Sequence, residues 1–144
     1  MAFTDLCLAA LAQYLAAGGV GTWRPADPYL PTDPTPIILS AVPSTPDRIL
    51  VLTPYPVSDS VTLSDSVLGV QVGMRGDRDP RTVQALSDAV FDRLHGAQAI
   101  GFAGGQIVAC ARQSETPLGT DGNDRHERTA NYYLSVWRPS PNRT

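Results

Sequence analysis

Residues 67–96, VLGVQVGMRGDRDPRTVQALSDAVFDRLHG, constrain the fold more than any other stretch. Leu68, Val70, Val72 and Met74 alternate with Val67, Gly69, Gln71, Gly73 and Arg75. A period of two makes this a strand with one face on a core. Gly76-Asp77-Arg78 breaks the run, and Asp79-Pro80 opens a different period. Asp accepts from the orphan amides of a first helical turn, and Pro at the first position has no amide to lose. Val83, Leu86, Val90 and Leu94 then recur at helical spacing, with Ala89 and Phe91 widening the stripe, until Gly96 supplies a stop. A strand, an arginine-rich turn and a capped amphipathic helix form one unit around which the rest must pack.

At 144 residues the chain is long enough for one domain, residues 1–144, to bury about 70% of its unfolded surface without disulfides. Cys7 and Cys110 fall in apolar patterns and read as buried free thiols of a reducing compartment. A net charge of −3 provides no basic footprint for nucleic acid. All 11 cations are arginine; the bland cause is a GC-rich codon bias, the functional one a use for bidentate contacts at interfaces. Residues 1–72 hold six Asp and two Arg (−4), whereas residues 73–144 hold eight acids and nine Arg (+1). That imbalance suits head-to-tail association. No run approaches 18 uninterrupted apolar residues, and the N-terminal stretch lacks an early cation and a cleavage pattern, so neither a membrane span nor export is expected.

Phe3 to Ala17 reads as a first helix, with Thr4 as N-cap, Leu8, Leu11 and Leu15 as core stripe and Gly18-Gly19 as stop. In residues 23–36, WRPADPYLPTDPTP, proline recurs every third position, the turn of a polyproline II helix. This strap either wraps its own domain or lies as an arm on a neighbouring subunit, with Trp23, Tyr29 and Leu30 as anchors. Ile37–Val42 and Arg48–Thr53 read as two strands with a tight connection, closed by Pro54 and Pro56. Residues 57–66 read as a loop. Ala99–Ala103, a Gly104-Gly105 turn and the alternating run Gln106–Gln113 follow the second helix, and residues 114–125 read as a second loop.

The last strand, Glu127–Arg138, puts Ala130, Tyr132, Leu134 and Val136 on the core face. Tyr133 and Trp137 then face the other way, as a contact surface or as packing beneath the strap. Residues 139–144 form a short tail. The order α-β-β-β-α-β-β predicts an α+β fold, a mostly antiparallel sheet with two α-helices on one face.

The chain offers little chemistry. His95 stands in the last turn of a helix, where a cation suits the dipole, and His126 at a loop-to-strand junction. No His or Cys falls at metal-ligand spacing. Asp121-Gly122-Asn123-Asp124 fails the calcium-loop pattern, and neither a phosphate-binding glycine loop nor a nucleophile elbow occurs. No catalytic residue, cofactor or metal is expected. Arg75, Arg78 and Arg81 remain as candidates for contacts to another protein, against the simpler reading of a solvated turn.

Residues 67–96 and the ending RHERTANYYLSVWRPS resemble the phage tail terminators, the minor capsid proteins of tailed bacteriophages; the leucine-rich first helix and paired strands agree. The resemblance implies a structural virion protein, assembled in the host cytoplasm, that forms a ring on the head-proximal end of the tail tube. The ring, typically a hexamer, ends tube polymerisation and provides a joining surface for head-completion proteins. DNA would only pass through its lumen. A head-closure component of the neck, or a dimeric small-molecule-binding regulatory α+β domain, are the alternatives.

Overall fold

The computed structural model describes residues 1–26 and 28–144. The element order is α1 (Phe3–Ala17), β1 (Ile37–Leu39), β2 (Ile49–Asp59), β3 (Asp65–Arg75), α2 (Pro80–Leu94), β4 (Gln98–Phe102), β5 (Gly105–Thr120) and β6 (His126–Trp137). The strands form one sheet in the order β1-β2-β3-β6-β5-β4, antiparallel except for β1 on β2. Both helices cover one face, so the α+β expectation holds, with the segment before the glycine turn standing as its own strand.

Helix α1 follows its leucines. Leu8, Leu11 and Leu15 are at most 1% exposed, and Cys7 and Ala12 complete the buried stripe. Each such leucine contributes about 1.5–3 kcal/mol by leaving water. Thr4, expected as the cap, lies inside the helix; the N-cap is Ala2, which has no side-chain bond to offer. At the other end Gly19 takes φ +81°, and the Val20 amide returns to the Leu15 carbonyl. This satisfies an orphan acceptor as only a left-handed turn permits. Helix α2 begins as its sequence predicts: the Asp79 carboxylate accepts from the Arg81 amide and Pro80 follows. Arg93 joins the helices, stacking its guanidinium 3.7 Å from the Tyr14 ring and donating to the Tyr14 carbonyl.

The central strands obey the alternation. Val70, Val72 and Met74 of β3 and Ala130, Tyr132, Leu134 and Val136 of β6 are all buried beneath the helices. Cys7 and Cys110 are buried free thiols, and burial pushes each pKa up to about 12.

Four expectations are corrected. Ile37–Leu39 pairs in parallel with Leu50–Leu52, so the connection between β1 and β2 is not the tight one expected. Pro54 and Pro56 do not close β2; they lie within it, opposite Val70 and Leu68. The Leu50 amide donates to Pro36 and the Leu52 carbonyl accepts from Ser40, so even positions of β2 direct their backbone groups away from β3. Past β1 that side is open, and a proline loses no ladder bond there. Third, half of the 57–66 loop is strand, leaving residues 60–64 as the turn. Fourth, the 114–125 loop is mostly β5, which stays paired to β6 out to Thr120 through three register shifts. Those irregularities absorb the residues that do not alternate.

Candidate assembly surfaces

Two of the three arginines of the 75–81 turn face outward. Arg75 does not. It is 3% exposed, and its guanidinium donates to the carbonyls of Asp47 (2.9 Å), Pro43 and Pro46 (both 2.8 Å). Its fork is spent on its own chain, which removes it from any contact surface. Burial, and then the neighbouring charge of Arg125, push its pKa down. Arg125, which no sequence pattern singled out, clamps the same loop: it donates to the Ser44 carbonyl at 2.6 Å and pairs with Asp121 at 2.8 Å. Only the acid four residues before it hinted at this. Arg81 is exposed, paired at 2.9 Å with its own cap residue Asp79. Arg78 is exposed, with no side-chain partner among the described residues.

The strap turns back on its own domain. Its two ends are joined at the base, where the Thr22 amide donates to the Thr35 carbonyl and the Ile37 amide donates to the Thr22 carbonyl. Arg24 and Asp33 form a two-point ion pair at 2.6 and 2.9 Å. The Tyr29 hydroxyl donates to the Ile37 carbonyl and accepts from the Arg24 amide. Trp23 packs against the core, and with Leu6, Ala10, Tyr14 and Ile100 it lines a trough along α1. Two of the three expected anchors, Trp23 and Tyr29, thus hold the strap to its own chain, and Leu30 is half-exposed. Asp27 of the strap lies outside the described residues.

The sheet face opposite the helices is open. Between Asp65 and Arg75 at the ends of β3, its outward positions are Val67, Gly69, Gln71 and Gly73; those of β6 between Glu127 and Trp137 are Thr129, Asn131, Tyr133 and Ser135. No formal charge lies in that central area. Its polar side chains bond laterally, Tyr55 to Asn131 at 2.9 Å, Asn131 to Ser114 at 3.2 Å and Gln71 to Thr129 at 3.0 Å. Tyr133 is half-buried here between Gly69 and Ala111, and Trp137 is 49% exposed at the rim. The strap does not cover them, because it packs on the helix side. An uncharged face with aromatics has the composition of an interface centre. At the opposite end a shallow groove is lined by Val42, Val51, Thr53, Gly73, Leu118 and Thr129.

Among the described residues no group of three or more His, Cys, Asp or Glu could hold a metal ion. No helix is long and apolar enough to cross a membrane. His95 accepts from the Arg112 amide and stacks on Phe91, which accounts for it structurally.

One sheet face is sealed by helices and the centre of the other is open and uncharged, which defines an α+β chain with an exposed sheet face. Residues 14–137 match the family described as bacteriophage tail terminator protein, and the chain belongs to that family. It is accordingly a structural phage tail protein. Its fold is similar to that of a chain in the virion of a native gene transfer agent particle, with TM-score 0.59 and 19% identity, covering 94% of each chain. A second solved chain is similar at TM-score 0.54 and 15% identity, covering 95% of this chain and 98% of the other. No curated protein matches.

Proposed function

We propose that residues 1–144 act as one domain that caps the head-proximal end of a phage tail tube as a ring, ending tube polymerisation and presenting the surface to which head-completion proteins join. Family membership across residues 14–137 carries this reading. The open face supports it physically, since a cap works by complementary surfaces and needs no reacting group. The chain acts without catalysis or cofactor, is assembled in the host cytoplasm and ends in the virion. Its partners are copies of itself, the tail tube protein and the neck proteins. The hexamer is the ring expected.

Ring closure needs two different patches that meet in rotation. DNA crossing the lumen is not recognised by sequence, and a chain of net charge −3 has little to retain it by. The test is electron microscopy of the purified chain with tail tubes. Rings, and density at one tube end only, are expected, with tubes of fixed length when the chain is present during assembly. Monomers that leave tube length unchanged would refute the capping role.

A further inference from the structure

The two ends of the β2–β3 pair are finished differently. At one end the 60–64 turn exposes Val61 (86%) and Leu63 (51%). Asp59 and Asp65 flank it, exposed and without an ion pair among the described residues. The tip is held in one shape by the tail. Ser64 donates to Thr144 and Thr144 to Thr62, while Arg143 donates to the carbonyls of Ser60 (3.1 Å) and Asp65 (3.3 Å). Such a clasp presents apolar side chains at little further entropic cost.

At the other end lies the groove walled by Val42 (69% exposed) and Leu118 (56%), with Val51, Gly73 and Thr129 in its lining beside the charged pair of neighbours Glu127 and Arg128. Past the 43–47 loop beside it stands Arg78; the acids around it, Asp47, Asp77 and Asp79, are each paired with another arginine, which leaves Arg78 the one arginine without a partner in its own chain among the described residues. The eleven residues of β2 separate the two ends by roughly 35 Å. Exposed aliphatic side chains at one end of the sheet are thus complementary to a mostly apolar groove at the other, and the acids flanking the tip to Arg78.

The geometry points to a second copy of this chain as the occupant of that groove: the 60–64 tip of one copy seats between Val42 and Leu118 of the next, with Asp59 and Asp65 toward its Arg78. This pairing rests on the ring reading and names the two patches it requires. A tube protein in the groove would leave the tip uncovered; both complementary halves lie on this chain.

The experiment uses Val61→Asp and Leu118→Asp, both at positions more than half exposed, with unchanged far-ultraviolet spectra as the folding control. If either unfolds, serine replaces aspartate at that position. Wild type is expected to form the ring by light scattering. Each variant alone should fall to the 15.4 kDa chain at the same concentration. An equal mixture should form a complex of two chains and no larger one, since one intact tip and one intact groove remain. Arg78→Asp should weaken assembly at least tenfold, and adding Asp59→Arg and Asp65→Arg should restore it. Wild-type rings indifferent to both apolar variants would overturn the pairing and leave the ring reading standing. A wild-type assembly no larger than two chains, still lost in the variants, would overturn the ring and keep the pairing. A wild-type chain that stays monomeric overturns both.

Discussion

The ring of Tyr55 lies across the backbone of Gly69 on the neighbouring strand, so closely that a Cβ there would sit 2.3 Å from its Cε2. Glycine is required at this position by contact rather than by backbone angle. The missing side chain is what lets the tyrosine lie flat, reach Asn131 and leave the open face smooth.

Gly69→Ala should therefore lift the tyrosine and break its bond to Asn131, at a cost of about 1–3 kcal/mol from overpacking. The double variant Gly69→Ala/Tyr55→Ala should be much less destabilised than the sum of the single changes, because the clash needs both partners. Urea titrations of the four proteins in the cycle measure this.

Arg75→Met should cost on the order of 3 kcal/mol, since three carbonyls of the 43–47 loop lose their donor within the fold. Arg75→Lys should recover little of it, because one ammonium cannot match a planar fork aimed at separate acceptors. Amide exchange in that loop should accelerate in both variants, with the helices unaffected.

Acid sensitivity should centre on Asp121. Its carboxylate accepts from the Arg125 amide at 3.0 Å, from the Arg125 side chain at 2.9 Å and from the Asn123 amide, which together hold its pKa down to about 2. An unfolded aspartate titrates near 4. The folded value is the lower one, so the stabilisation is fully present above about pH 4 and lost as pH falls towards 2. Asp121→Asn should flatten that limb of the stability–pH curve, read by thermal melts between pH 2 and 6.

Trp137→Ala should shift the unfolding free energy by about 1 kcal/mol or less, as expected for a half-exposed rim residue. Binding to tube ends or to neighbouring subunits should fall much further. A large drop in melting temperature with assembly intact would assign the indole to folding instead.

Both helices and the strands that carry the core were legible because burial repeats. Leu8, Leu11 and Leu15 mark every turn of α1, and the even positions of β6 mark the covered face. Tertiary context supplied the rest. Pro54 and Pro56 are tolerated only because that stretch of β2 has one neighbour. Pro117 and Gly119 sit in a strand because register shifts reset β5 against β6. Arg75 resembled its exposed neighbours in sequence, and nothing local shows that a loop 30 residues away would surround it. The 139–144 tail, expected to be an appendage, is sewn to the 60–64 turn through Arg143 and Thr144. Of the expected contact residues, Arg78, Arg81 and Trp137 stand exposed and Tyr133 half so, while Arg75, Trp23 and Tyr29 are engaged within their own chain.

The prolines on the open flank of β2 also bear on solubility. A foreign strand drawing alongside Pro54 and Pro56 would find carbonyls but no amides at those two positions, so backbone templating stalls there. The opposite flank, β4, is kinked by Ala99 at φ +57°. With both borders of the sheet disarmed in this way, lateral strand-by-strand addition between copies is disfavoured. Recognition is left to side chains, where geometry can limit how many copies come together.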